Sequence, residues 1–264
     1  MSSRRRDRLA HILREWDWDT TTLAVVFALV LLGRPILATP LAWAARVVRN
    51  EVFETYDNAM AQAAIKRPSY IEQLDTIDIN ATEVHVVSFR YPSLKPGKQP
   101  PLMDPMWVAL PDKLKKACEG NTTPKLRLQQ VLGLPPRNSR RSIYEITATP
   151  ANIFRPCISG QDPASPSCSL SDPSVPAAPP SGYDRVRYVS MHAWESYQTG
   201  VEDDHLEPGD YPYKGFPFTG MGWTYDWSPQ SKTHVGVSEF VIEPGAEVTV
   251  DREVTLEEFC AAKK

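Results

Sequence analysis

The chain has 264 residues, 42% of them hydrophobic, with 29 basic and 32 acidic side chains and a formal net charge of −3. That apolar content excludes an intrinsically disordered chain, and the even spread of charge leaves no basic stripe for nucleic acid. With 25 prolines against 13 glycines, extended and turning segments outweigh long helices. The fold class expected is therefore α+β: an N-terminal transmembrane helix, then a mostly β extracytoplasmic domain with a few short helices.

Residues 1–19 read as a cytoplasmic stub and residues 20–45 as a membrane-spanning helix. Thr21 to Gly33 carries no charge, and after Arg34-Pro35 a second apolar run extends from Ile36 to Ala45. Together they reach the roughly 20 apolar residues that a bilayer span needs. Arg34 costs several kcal/mol at mid-bilayer, about 2.5 to 3.5 on insertion scales, unless it snorkels, meets a partner or marks the outer end of the span. Arg4, Arg5, Arg6, Arg8 and Arg14 precede the run, whereas only Arg46 and Arg49 closely follow it. The positive-inside rule then places the N-terminus in the cytoplasm, with Trp16, Trp18 and Trp43 where an aromatic belt sits. A cleaved signal peptide is the rival reading, with Ala42-Trp43-Ala44 as the cleavage pattern; the long basic region and Arg34 favour the anchor. The expected location is a bacterial inner membrane, single-pass, with the C-terminal domain periplasmic and the bilayer itself a partner.

Residues 46–67 form the next predicted element, an amphipathic stalk helix ending at Pro68. Val47, Val48, Val52, Tyr56, Met60 and Ala63 recur at three- and four-residue spacing. That face packs on its own domain or on a membrane-protein partner, which residues 20–67 would engage. The domain proper is residues 68–264. Glu83 to Tyr91 and Met106 to Leu110 alternate as strands that can pair across the proline-rich stretch 92–105. A short helix capped by Asp112 runs to Glu119, and a second starts at Pro124 and stops before Gly133. Ser142 to Thr149 returns to strand, and 157–182 is a loop of Pro, Ser, Ala and Asp. Arg185 to Met191 has strand character, and Ala193 to Gln198 a helical turn. Val235 to Ile242 and Ala246 to Val250 read as a hairpin around Glu243-Pro244-Gly245, and Thr255 caps a closing helix to Ala262.

All four cysteines, Cys118, Cys157, Cys168 and Cys260, lie after the hydrophobic run, and an even count there fits disulfides in an oxidising compartment. Three connectivities are open. The preferred one pins the loop with Cys157 to Cys168, leaving Cys118 to Cys260 to staple an early helix to the last one.

The densest aromatic stretch is Tyr211 to Trp227, whose rings alternate with Gly and Pro. Tyr213, Phe218, Trp223, Tyr225 and Trp227 are the candidate binding residues, since rigid aromatics on turns make ready contacts; alternatively the rings plug the open side of a small β core. His192, His205 and His234 lie near Asp203, Asp204 and Asp210 in sequence, but their spacing matches no helical His pair, so no metal is expected. No nucleophile elbow or phosphate-binding glycine loop is present, and no cofactor is expected. The sequons at Asn80 and Asn121 matter only in a eukaryotic secretory cell.

Two resemblances are carried by motifs. LGLPP at 132–136, FRPC at 154–157, GWTYDW at 222–227 and VGVSEFVI at 235–242, in that order before a terminal cysteine, resemble a group of uncharacterised exported bacterial proteins over about residues 105–260. That group implies export and no activity. Glu239 followed by FVIEPGAEVTV is similar to the stretch after the catalytic glutamate of ADP-ribosyltransferases, which implies a carboxylate that orients a nicotinamide ribose. Val237 stands where arginine-specific members carry Glu or Gln, and the Ser-Thr-Ser strand is absent. The function expected is a non-catalytic binding or accessory subunit of a membrane complex; the alternatives are an exported ADP-ribosyltransferase-type enzyme using Glu239 and a secreted soluble binding domain.

Overall fold

The computed structural model describes residues 51–52, 54–63, 67–90, 94–136, 142–157, 160–170, 185, 188–189 and 216–261. The expected stub and span, Tyr213, His192, His205 and the nearby aspartates fall outside them. Among the described residues no helix is long and apolar enough to cross a membrane. The chain divides into two compact units, Met1–Glu54 and Thr55–Lys264, and the second is α+β.

The second unit opens with helical residues 55–63 (α1), where Tyr56, Ala59 and Ala63 are buried. Their spacing puts them on one helical face, and the Tyr56 ring meets the Trp227 ring edge-on at 5.6 Å. From Thr55 onward the stalk thus turns Tyr56, Ala59 and Ala63 onto its own domain. A 3-10 turn at Pro68–Tyr70 follows.

An eight-stranded antiparallel sheet forms the body. Its strands are β1 (Val84–Arg90), β2 (Gly97–Lys98), β3 (Met106–Ala109), β4 (Ser142–Ala148), β5 (Ile153–Phe154), β6 (Trp223–Tyr225), β7 (Val235–Ile242) and β8 (Val248–Thr255). They lie in the order β2-β8-β4-β1-β3-β7-β5, with β6 also on β7. β1 pairs with β3 across the proline-rich stretch, Val87 opposite Ala109. The helices are α2 (Pro111–Cys118), α3 (Pro124–Val131) and α4 (Leu256–Phe259).

Three expectations are corrected. β7 and β8 do not form a hairpin: β7 pairs with β3 and β8 with β4. β7 is buried on both faces along most of its length, whereas β8 alternates buried and exposed positions, so β7 belongs inside the sheet. A flat sheet would put these strands about 19 Å apart, four spacings of roughly 4.8 Å. The link at 243–247 contains a turn, with Ala246 N–H donating to the Glu243 carbonyl at 3.3 Å, so the sheet must curl, and Phe240 and Ile242 share one core with Val248 and Val250. Secondly, Asp112 does not cap α2. Leu110 holds the N-cap position and Pro111 the first helical position, where a missing N–H costs nothing; Asp112 sits in the first turn. Thirdly, the described residues within 185–191, namely 185, 188 and 189, are helical. The reason is tertiary: Val189 is buried, the Tyr188 ring packs on Trp107 and Phe154, and Arg185 pairs with Glu243 at 2.8 Å.

The two sheet faces bury different cores. On the first, Val86, Met106, Tyr144, Ile146, Phe240 and Ile242 meet inside the curl. On the second, Val87, Phe89, Ile143 and Val254 meet Leu114, Leu128 and Phe259 of the three helices. Disulfides join Cys118 to Cys260 and Cys157 to Cys168. The first fastens α2 to the residue after α4, so covalent chemistry closes the helical layer over the second face.

Candidate functional site

Alternation along β7 sends Ser238, Phe240 and Ile242 to one face and Val237, Glu239 and Val241 to the other. Register sets Glu239 beside Ala109 of β3, and Ala109 beside Val87 of β1. A carboxyl therefore stands in a row of apolar residues at the centre of the sheet, 6% exposed. Its backbone N–H donates to the Gly222 carbonyl at 3.0 Å, but its Oε1 has no hydrogen-bond partner. Burial pushes the Glu239 pKa up to about 8, and the nearby Arg155 charge only partly opposes this. An ionised carboxylate without a partner in so apolar a place is costly, so the group retains its proton.

Glu239 opens onto a cavity of about 370 Å³. Its walls come from β1, β3, β6, the start of α2, the turn after α3 and residues 216–218. The rings of Phe89, Trp107, Phe216, Phe218 and Tyr225 line it, together with Leu114, Leu132 and Leu134. Gly133, at φ 65°, ends α3 in the left-handed conformation that glycine adopts freely and turns the chain into the cavity wall.

Behind Glu239 lies Arg155, which has no exposed surface. Its guanidinium donates to the carbonyls of Gly222 at 3.3 Å and Pro163 at 3.2 Å, and to that of Asp75, while Nε has no partner. The charge sits 4.6 Å from the centre of the Phe240 ring. Burial lowers the Arg155 pKa to about 10 against the raising effect of Glu239, Asp75 and Asp162. Gly222 is required here: at φ 74°, a Cβ would lie 2.7 Å from Arg155 Cδ and 2.9 Å from Cys168 Sγ.

The sequence-predicted binding residues separate into two groups. Phe218 and Tyr225 line the cavity with Glu239. Trp223 and Trp227 are buried to 1% and 2% and serve as struts, Trp223 Nε1 donating to the Tyr70 carbonyl at 3.0 Å and Trp227 Nε1 to the Leu134 carbonyl at 2.9 Å. The same stretch is tied to α3 by a two-pronged pair in which Arg127 donates from both terminal nitrogens to Asp226, each at 2.8 Å. His234 stacks on Tyr225 at 5.2 Å with Nδ1 2.9 Å from the Asp226 carbonyl oxygen, and no cluster of three metal-ligating side chains occurs among the described residues. Reading the sequence alone misses Arg155, because an arginine beside Pro156 resembles a solvated turn residue. Its one signal is the neighbouring Cys157, which ties this stretch to another loop.

No known protein family, curated protein or solved structure matches the chain.

Proposed function

We propose that this chain is a membrane-anchored envelope protein whose disulfide-bonded domain works outside the cytoplasm as a non-catalytic binding or accessory subunit of a membrane complex. The observation that carries the reading is the ring-lined cavity over the second sheet face, an apolar concavity with few polar groups of the kind that ligand sites use. Two disulfides with no free cysteine among the described residues support an oxidising compartment. The uncharged run before the domain supplies the anchor, and residues 20–67 offer a contact for a membrane partner, less the face of Tyr56, Ala59 and Ala63 that the domain itself buries. Mild detergent extraction of the full chain, with its N-terminus and thiol state read by mass spectrometry, tests this reading. An intact N-terminus, oxidised cysteines and stoichiometric partners are expected. A lone soluble monomer starting near Ala45 overturns it in favour of a secreted domain.

A second reading starts from the position of Glu239, whose carboxyl lines the cavity at the centre of the sheet. In that reading the domain is an exported enzyme of ADP-ribosyltransferase type. NAD-glycohydrolase activity that Glu239→Gln abolishes is its expected sign, and no NAD turnover by folded wild-type protein removes it.

A further inference from the structure

The cavity presents a ligand with the edge of a buried carboxyl and a wall of rings. Glu239 is 6% exposed and its Oε1 has no partner, whereas the Ser88 and Thr224 hydroxyls on the wall are already spent. Ser88 Oγ donates to the Trp107 carbonyl at 2.9 Å. Thr224 Oγ1 donates to the Val131 carbonyl and accepts from Val237 N–H at 2.9 Å. The Glu239 carboxyl thus lines the cavity without a hydrogen-bonded counter-charge, beside five aromatic side chains. Ring faces attract cations, and a charge pair excluded from water is strong when its geometry is good.

We propose that this cavity is a binding site for a small organic amine: an apolar body that packs on the rings, and one ammonium group that donates to the Glu239 carboxylate at its exposed edge. The proposal deepens the binding-module reading and rests on it. At about 370 Å³ the space lies at the small end of ligand pockets, which suits a compact molecule and not a polymer.

The charges around the carboxyl are consistent with this assignment. Arg155 reaches Glu239 electrostatically from behind, but its two terminal nitrogens donate to three backbone carbonyls and its Nε makes no hydrogen bond to the carboxyl. Arg90, on the wall, already interacts within the protein. Burial pushes the Tyr225 hydroxyl to about 12, so it stays neutral. With Glu239 protonated at neutral pH in the absence of ligand, an entering ammonium takes the place of that proton. The carboxyl ionises, its proton passes to the buffer, and the net charge of the cavity does not change.

Titration calorimetry of the full chain in mild detergent, with 4-phenylbutylamine and its uncharged analogue 4-phenylbutan-1-ol as probes, tests the assignment. At neutral pH the amine is expected to bind about tenfold more tightly or better. Its binding enthalpy should also change between buffers of different ionisation enthalpy, by the amount for release of close to one proton. Glu239→Gln should bind both probes alike. Equal binding of the two probes by the wild type overturns the ligand class and leaves the binding-module reading standing; failure of both to bind at millimolar concentration overturns both. The wild-type comparison needs no variant, so the outcome stands even if Glu239→Gln folds poorly.

Discussion

The two faces of the sheet are built to different specifications. The first closes on itself: the curl brings β7 and β8 around one apolar core, with the buried Arg155 guanidinium set over its Phe240 ring. The second is assembled from helices, fastened by Cys118–Cys260, and it tolerates a cavity and an unpaired carboxyl at its centre. A sheet with one well-filled face can carry strained or unsatisfied groups on the other, and such groups concentrate where proteins bind or react.

Four measurements break or sharpen that contrast. The largest effect is expected from replacing both Cys118 and Cys260 with serine. The bond joins residues 142 apart in sequence, and the chain-entropy model assigns such a loop about 5 kcal/mol, against about 3 kcal/mol for the 11-residue separation of Cys157 and Cys168. Equal losses for the two bridges in denaturant unfolding would show that the helical layer does not depend on its staple. Next, Phe240→Ala empties a fully buried ring site on the first face and should cost about 3 to 4 kcal/mol, as Phe→Ala does in tight cores. Phe218→Ala, whose ring borders the cavity, should cost clearly less in the same assay.

The third measurement is pH dependence. Burial raises the Glu239 pKa in the folded state to about 8, above its value in an unfolded chain. Between these two values the native state holds more protons than the unfolded one, so this group's stabilisation is complete below about pH 4.5 and falls away as pH rises towards 8. The slope approaches about 1.4 kcal/mol per pH unit in that window, and Glu239→Gln should remove it; a variant that keeps the wild-type slope would locate the titration elsewhere. The smallest effect belongs to Arg252→Ala, which breaks an exposed two-pronged contact with Glu145 at 2.7 Å and should cost about 0.5 kcal/mol, fading with added salt.

What the sequence reveals is mostly local. Alternation marks β1, β3 and β4, Pro124 marks the start of α3, and the preferred cysteine pairing is the one the structure contains. Thr255 does cap α4, accepting from Glu258 N–H at 3.1 Å. The hairpin signal at Glu243-Pro244-Gly245 misleads because a tight turn fixes only a change of direction. Which strand each arm then pairs with is decided by burial of β7 on both faces. The two-residue strands β2 and β5 are too short to carry a period. At the site, the aromatic stretch announces rings but not their division between struts and cavity wall. The isolation of Glu239 depends on Ala109 and Val87, two strands that lie far away in sequence.

Strand order also dictates a schedule of assembly. β4, β1 and β3 are neighbours and all lie before residue 150, so a three-stranded nucleus can pair as soon as that much chain has emerged. Both flanks of the nucleus, β8 beside β4 and β7 beside β3, come from the last 30 residues. The nucleus therefore has both edges exposed until β7 and β8 arrive and complete both sides. Cys118 waits with it as a free thiol while Cys157 and Cys168 already have each other within reach. Thiol trapping during oxidative refolding should capture the short bridge first, and loss of the final strand should leave an aggregation-prone fragment in place of a smaller stable fold.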